Sequence, residues 1–109
     1  MKKFEVIVTP QAQSDILSAF GYIHERSPLN ATRWIQQLYR EIDSLESLPE
    51  RCGHAREQEY LDAPLRQLLF KSHRIIFSVE RTIAAVYVLH VRHAKQRAVG
   101  ERKEGESEI

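Results

Sequence analysis

The chain has 109 residues, 42% of them apolar, with four glycines, four prolines and a single cysteine. That is enough for one domain with a packed core, without an internal disulfide, and no apolar run approaches the ~20 residues of a bilayer-crossing helix. The formal net charge of +1 hides an uneven distribution: residues 65–97 hold seven Lys or Arg and one acid (+6), residues 1–64 seven basic and ten acidic (−3), and residues 98–109 two basic and four acidic (−2).

Read in order, Phe4 to Thr9 alternates and is rich in β-branched residues, which predicts a strand with Phe4, Val6 and Val8 on one face. Thr9-Pro10 is a helix start, with Thr at the cap and Pro at the first helical position. The helix should run to about Arg26, with Ala12, Ile16, Phe20 and Ile23 as its apolar stripe. Ser27-Pro28 repeats the signal for a second helix to about Leu48. Its stripe is Ala31, Trp34, Ile35, Leu38, Ile42, Leu45 and Leu48, and Pro49 stops it. So short a connection makes the two helices an antiparallel hairpin. The aromatic and aliphatic stripe of the second helix reads as core packing rather than as a ligand slot, because helical spacing alone explains it.

The run from Pro49 to Pro64 is polar, carries Glu50, Glu57, Glu59 and Asp62, and reads as a solvated connection. Three strands follow: Leu65–Phe70, His73–Val79 and Ile83–Arg92. Their short links predict an antiparallel meander. Ile75, Phe77 and Val79 should face the helices and Arg74 the other way. With Glu80-Arg81 as a two-residue turn, Tyr87, Leu89, Val91 and His93 would share the open face with Arg74. A one-residue slip would exchange His93 for His90 and Arg92. Arg66 joins that face only if the preceding turn has an odd number of residues. Residues 98–109 read as a flexible charged tail behind a domain spanning 1–97. The N-terminus lacks the features of a signal peptide, and the single Cys52 suits a reducing compartment, so a cytoplasmic protein is expected.

The basic segment suggests an anionic partner. Arg66, Arg74 and Lys71 can bind phosphate, and His93 can move a proton. A histidine with one or two arginines on one face could cleave RNA without a metal. The reaction needs a base for the 2′-hydroxyl, cations for the pentacovalent phosphorane and an acid for the leaving 5′-oxygen. The five histidines show no metal-ligand spacing, and there is no Gly-rich phosphate loop and no Gly-x-Ser-x-Gly. Nothing around Cys52 argues for an activated thiolate. No metal and no cofactor are expected.

The order strand, helix hairpin, three-strand meander and basic C-terminal edge resembles the RelE/ParE superfamily of toxins from bacterial type II toxin–antitoxin modules. The matching pieces are Phe4-Glu5-Val6-Ile7-Val8-Thr9-Pro10, Asp15-Ile16, Tyr22-Ile23, Ala31-Thr32-Arg33-Trp34, Leu48-Pro49, Leu65-Arg66, His73-Arg74-Ile75-Ile76-Phe77 and Val88-Leu89-His90-Val91-Arg92-His93. The resemblance implies an α+β fold of order β-α-α-β-β-β, with a helical hairpin on one face of a mainly antiparallel four-stranded sheet. It implies a toxin neutralised by a cognate antitoxin. The target would be DNA gyrase in the ParE-like branch, or the ribosome and its mRNA in the RelE-like branch. On the ribonuclease pattern Arg66, Arg74 and His93 would be catalytic. Lys71, Arg92, Lys95 and Arg97 would contact nucleic acid or partner. Nuclease members commonly carry a tyrosine after the last strand, yet residues 94–98 hold none. Residues 58–65 also lack the lysine pair of some members. The long hairpin and the Val91-Arg92-His93 ending favour the ParE-like branch, with a ribonuclease or a non-toxic antitoxin-binding module as alternatives. No membrane partner is implied.

Overall fold

The computed structural model describes residues 3–61 and 64–101. Strand β1 (Glu5–Val8) leads into helices α1 (Pro10–Arg26) and α2 (Pro28–Asp43). These are followed by strands β2 (Arg66–Phe70), β3 (His73–Glu80) and β4 (Ala85–His93). The sheet order is β1-β4-β3-β2, with β1 parallel to β4 and the other pairs antiparallel. The expected α+β architecture is therefore the observed one. The helical hairpin is the crossover that a parallel β1–β4 pair requires.

Both helices start where the Thr-Pro and Ser-Pro signals put them. The Ala12 N–H donates to Thr9 Oγ1 at 3.3 Å and the Asn30 N–H to Ser27 Oγ at 3.3 Å. Thr9 Oγ1 also donates to the Val88 carbonyl at 2.8 Å, so one side chain caps α1 and ties it to β4. Ala12, Ile16, Trp34, Leu38 and Ile42 from the helices close over Phe70, Ile75, Phe77, Val86, Val88 and Val91 from the sheet. Fully burying each of the larger side chains contributes roughly 1.5–3 kcal/mol.

Four expectations need correction. Helix α2 ends at Asp43 and tightens into a 3-10 turn over Ser44–Glu46. Leu45 stays buried, but Leu48 leaves the stripe, takes a φ of 47° and is 61% exposed. The β3–β4 link is not a two-residue turn: a 3-10 turn over Arg81–Ile83 is followed by Ala84 at φ 50°, and Glu80 pairs with Ala85. The register then shifts at Ile76/Phe77, where Phe77 pairs with Val88 but Ile76 with His90, so Leu89 is the extra residue of a β-bulge. The bulge inverts the alternation beyond it. Tyr87 and Leu89 keep the face opposite the helices, whereas Val91 and His93 turn to the helix side, opposite Ile75 and His73.

The fourth correction concerns the run 49–64, which is not a solvated connection over its described part. It makes two 3-10 turns, Pro49–Arg51 and Arg56–Glu59. It also packs Ala55 with Leu65 and Ile76 in a second small core on the other sheet face. Gly53 and Ala55 hydrogen-bond the outer edge of β2 through Gln67 N–H and the Leu65 carbonyl. Of the expected tail, Ala98 is buried and residues 98–101 lie against that second core; residues 102–109 lie outside the described residues.

Candidate functional site

Two surfaces carry the charged and aromatic side chains. The first lies on the helix side, at the end of the β3–β4 ladder that β1 does not reach. Strand β1 stops pairing at Val8–Val88. Beyond it the Val91 N–H is met by Asp15 of α1, whose Oδ2 accepts at 3.0 Å and sits 3.4 Å from His90 Nδ1. Between α1 and the strand ends an open groove of about 720 Å³ is lined by Ser18, Ala19, Tyr22, Trp34, His73 and His93, with Lys71 at its rim.

The aromatic wall of this groove is a direct product of register. His73 and His93 are cross-strand partners, and their rings stand 5.2 Å apart in an edge-to-face arrangement. His73 also meets the Trp34 ring edge-on at 5.2 Å. The Lys95 N–H donates to His93 Nδ1 at 3.0 Å. His73 Nδ1 is enclosed without a hydrogen-bond partner. Burial first, and then the neighbouring His93, push the His73 imidazole below its ordinary value.

The second surface is the opposite sheet face. Arg74 lies there, directly across from Arg92. Only 2% of Arg74 is exposed, and Glu57 is fully buried beside it. The pair is bidentate: Nη1 donates to Oε1 at 2.8 Å and Nη2 to Oε2 at 2.9 Å. Gln67 Oε1 accepts a further bond from Nη1 at 3.0 Å, while Arg74 Nε has no partner. The Val99 N–H donates to Glu57 Oε2 at 3.0 Å. Burial opposes ionisation of Glu57, but Arg74 and the Val99 N–H outweigh it and lower the carboxyl to about 2.

The sequence-derived site residues therefore do not form one constellation. The Lys71-Ser72 turn has two residues, an even number, so Arg66 lies on the helix side, opposite Phe77. There its guanidinium donates to the backbone carbonyls of Glu50, at 3.2 Å, and Cys52. Arg74 is on the other face and enclosed. His93 is on the helix side, in the groove. Arg92 shares the Arg74 face but donates through Nε and Nη2 to the Arg97 carbonyl, at 3.1 and 2.7 Å. Lys71, Lys95 and Arg97 are exposed at the strand ends. Cys52 is buried, and burial pushes its thiol up against the opposing pull of Arg51 and Arg66. No group of three or more His, Cys, Asp or Glu residues able to hold a metal occurs among the described residues. No helix among them is long and apolar enough to cross a membrane.

Sequence reasoning missed Glu57, Asp15 and the Trp34–His73 contact. For Glu57 a faint signal existed: an arginine in the middle of an apolar strand, aimed away from the helices, needs an anion if anything covers it. Asp15 had no signal, because its partner is a backbone N–H that only the unequal strand lengths leave free.

The model of the family described as ParE toxin of the type II toxin–antitoxin system, parDE, matches residues 6–98. In three dimensions the chain is similar to a structure from the chromosomal ParDE toxin–antitoxin system of P. aeruginosa, with a TM-score of 0.68 at 14% identity over 84% of this chain and 96% of that one. It is also similar to a structure from the toxin–antitoxin complex RelBE2 of Mycobacterium tuberculosis, with a TM-score of 0.57 at 20% identity over 85% and 93%. No curated protein matches it. At these identities the two structures speak for the fold, while the family model covers most of the chain: it belongs to the ParE toxin family of type II toxin–antitoxin systems.

Proposed function

We propose that this toxin acts by binding its target, DNA gyrase, rather than by cutting RNA, and that a cognate antitoxin silences it by laying a segment in the groove between α1 and the β3–β4 strand ends. The observation that carries the reading is the sequestration of Arg74: its guanidinium is spent on Glu57 and closed off from solvent. A phosphorane-stabilising cation must reach the reacting phosphate, and here Arg74, Arg66 and His93 are enclosed, tied to carbonyls and on the far face, respectively. A toxin that works by presenting a surface needs no such set. The groove supports the antitoxin assignment through its size, its apolar and aromatic walls and its Lys71 rim, which suit an acidic amphipathic segment.

The test is a pair of assays on the purified protein: supercoiling of relaxed plasmid by gyrase, and translation in a cell-free system. Inhibited supercoiling with intact mRNA is expected, relieved by antitoxin, and Ser18→Arg, which fills the groove, should abolish that relief while leaving gyrase inhibition in place. Untouched supercoiling with cleaved mRNA would transfer the assignment to a ribonuclease. Inactivity in both assays would leave an antitoxin-binding module.

A further inference from the structure

Leu48 holds a conformation that the fold does not require of a leucine. Three non-glycine residues among those described take a left-handed backbone: Lys71 at φ 52°, Leu48 at φ 47° and Ala84 at φ 50°. Lys71 opens the two-residue link between β2 and β3, and the favoured hairpin turns place their first residue in that region. Leu48 has no such reason. Asparagine and glycine adopt the left-handed region far more readily than leucine, and this leucine gains no burial in exchange, being 61% exposed. An unfavourable backbone that persists at a surface position points to a role outside stability.

The loop that carries it is tied at several points. The Leu48 carbonyl accepts from the Arg51 N–H at 3.0 Å and from Arg51 Nη1 at 3.1 Å, and Arg51 Nη1 also donates to the Ser47 carbonyl at 2.6 Å. At one end of the loop the Glu46 carbonyl accepts from the Phe4 N–H, just before β1, at 2.9 Å. At the other the Glu50 carbonyl accepts from Arg66 of β2 at 3.2 Å. Since β1 and β2 are the two outer strands, segment 46–50 crosses the end of the sheet and passes the β3–β4 turn. Arg81 of that turn clamps it: Nε and Nη2 donate to the two Glu50 carboxylate oxygens, each at 2.7 Å. Two residues beyond Arg81, Ile83 is 64% exposed, in a turn that Ala84 ends in the left-handed region. Two aliphatic side chains thus stand in solvent on two turns that are locked together.

We propose that Leu48 and Ile83 are the apolar anchors that this toxin seats in a hydrophobic recess on gyrase, with the Glu50–Arg81 pair fixing their spacing before contact. The inference rests on the reading that the toxin acts by binding gyrase, and it names the surface that does so. Anchors already ordered in the free protein lose little freedom on binding, and a few such side chains carry most of the energy of a protein interface. This end of the sheet is remote from the groove: β3 runs from His73, in the groove wall, to Glu80, beside the clamp, roughly 25 Å of extended chain. Relief by antitoxin then requires the antitoxin chain to reach past the groove and cover this end as well.

Leu48→Asn tests it, because asparagine suits the left-handed backbone and only the apolar side chain is lost. The readouts are the thermal midpoint and the toxin concentration that half-inhibits supercoiling of relaxed plasmid by gyrase. Leu48→Asn should melt no lower than the wild-type chain, yet need at least about tenfold more protein for half-inhibition. A merely structural Leu48 would leave inhibition unchanged. Ile83→Thr should weaken inhibition comparably, whereas Leu17→Gln, at a leucine of α1 that is 66% exposed, should not. Inhibition that survives both Leu48→Asn and Ile83→Thr, or that falls equally with Leu17→Gln, overturns this surface and leaves the gyrase reading standing. A wild-type chain without effect on supercoiling overturns both. Should Leu48→Asn fail to fold, Leu48→Gly carries the same expectations.

Discussion

Glu57 and Arg74 are seventeen residues apart in sequence, yet they form a bidentate pair from which water is almost wholly excluded. Each alone would be an uncompensated buried charge. Glu57→Ala and Arg74→Ala should each destabilise the fold by about 3–5 kcal/mol, read by urea denaturation. A Glu57→Leu/Arg74→Met double variant should recover most of the loss, since no charge is then stranded. Single variants that lose under about 1 kcal/mol would mean the pair is hydrated in solution.

The same pair sets an acid dependence. The folded-state value of Glu57 lies near 2, below its ordinary value of 4.5, so the ionised form stabilises the fold. That stability is complete above pH 4.5 and drains away as the pH falls from there toward 2. Denaturation midpoints followed across this window should fall steeply in the wild-type chain and more shallowly in Glu57→Gln. Parallel curves for the two proteins would contradict the assignment.

Asp15 closes the uncovered stretch of β4 by accepting the Val91 N–H. Asp15→Ala leaves that donor without its partner in a half-buried position and should cost about 1–3 kcal/mol. Asp15→Asn keeps an acceptor oxygen and should cost much less. Amide hydrogen exchange at Val91 reports the contact directly: rapid exchange in Asp15→Ala but slow exchange in Asp15→Asn is the expected contrast.

His73 should titrate below 6.5 by NMR, because burial and then His93 oppose its protonated form. His93→Gln should move the midpoint upward, but not all the way, since burial is the larger cause. As the folded-state value is depressed, this histidine's contribution to stability is present above pH 6.5 and declines as the pH falls through its folded midpoint. A complete return to 6.5 in His93→Gln would reverse the ranking of the two causes.

Ala84 ends the 3-10 turn between β3 and β4 in the left-handed region, at φ 50° and ψ 54°. A side chain there costs roughly 1–2 kcal/mol relative to the right-handed well, part of which glycine returns in extra unfolded-state freedom. Ala84→Gly should therefore raise stability by up to about 1 kcal/mol, seen as a higher thermal midpoint. A lower midpoint would place the turn elsewhere.

The sequence by itself determined the elements that rest on local rules. Thr9-Pro10 and Ser27-Pro28 set both helix starts, and the stripes around Leu38 and Ile16 set their buried faces. Cap chemistry and helical period are properties of a few neighbouring residues. The tertiary structure alone decided where the chemistry lies. One bulge residue, Leu89, inverts the strand alternation and moves His93 from the side of Arg74 to that of Trp34. A stretch without periodicity, 55–61, delivers Glu57 to Arg74 and turns an open face into a covered one. Neither outcome has a local signature, because a bulge arises from how two strands fit over a shared core, and a buried ion pair from which distant segment comes to cover a charge.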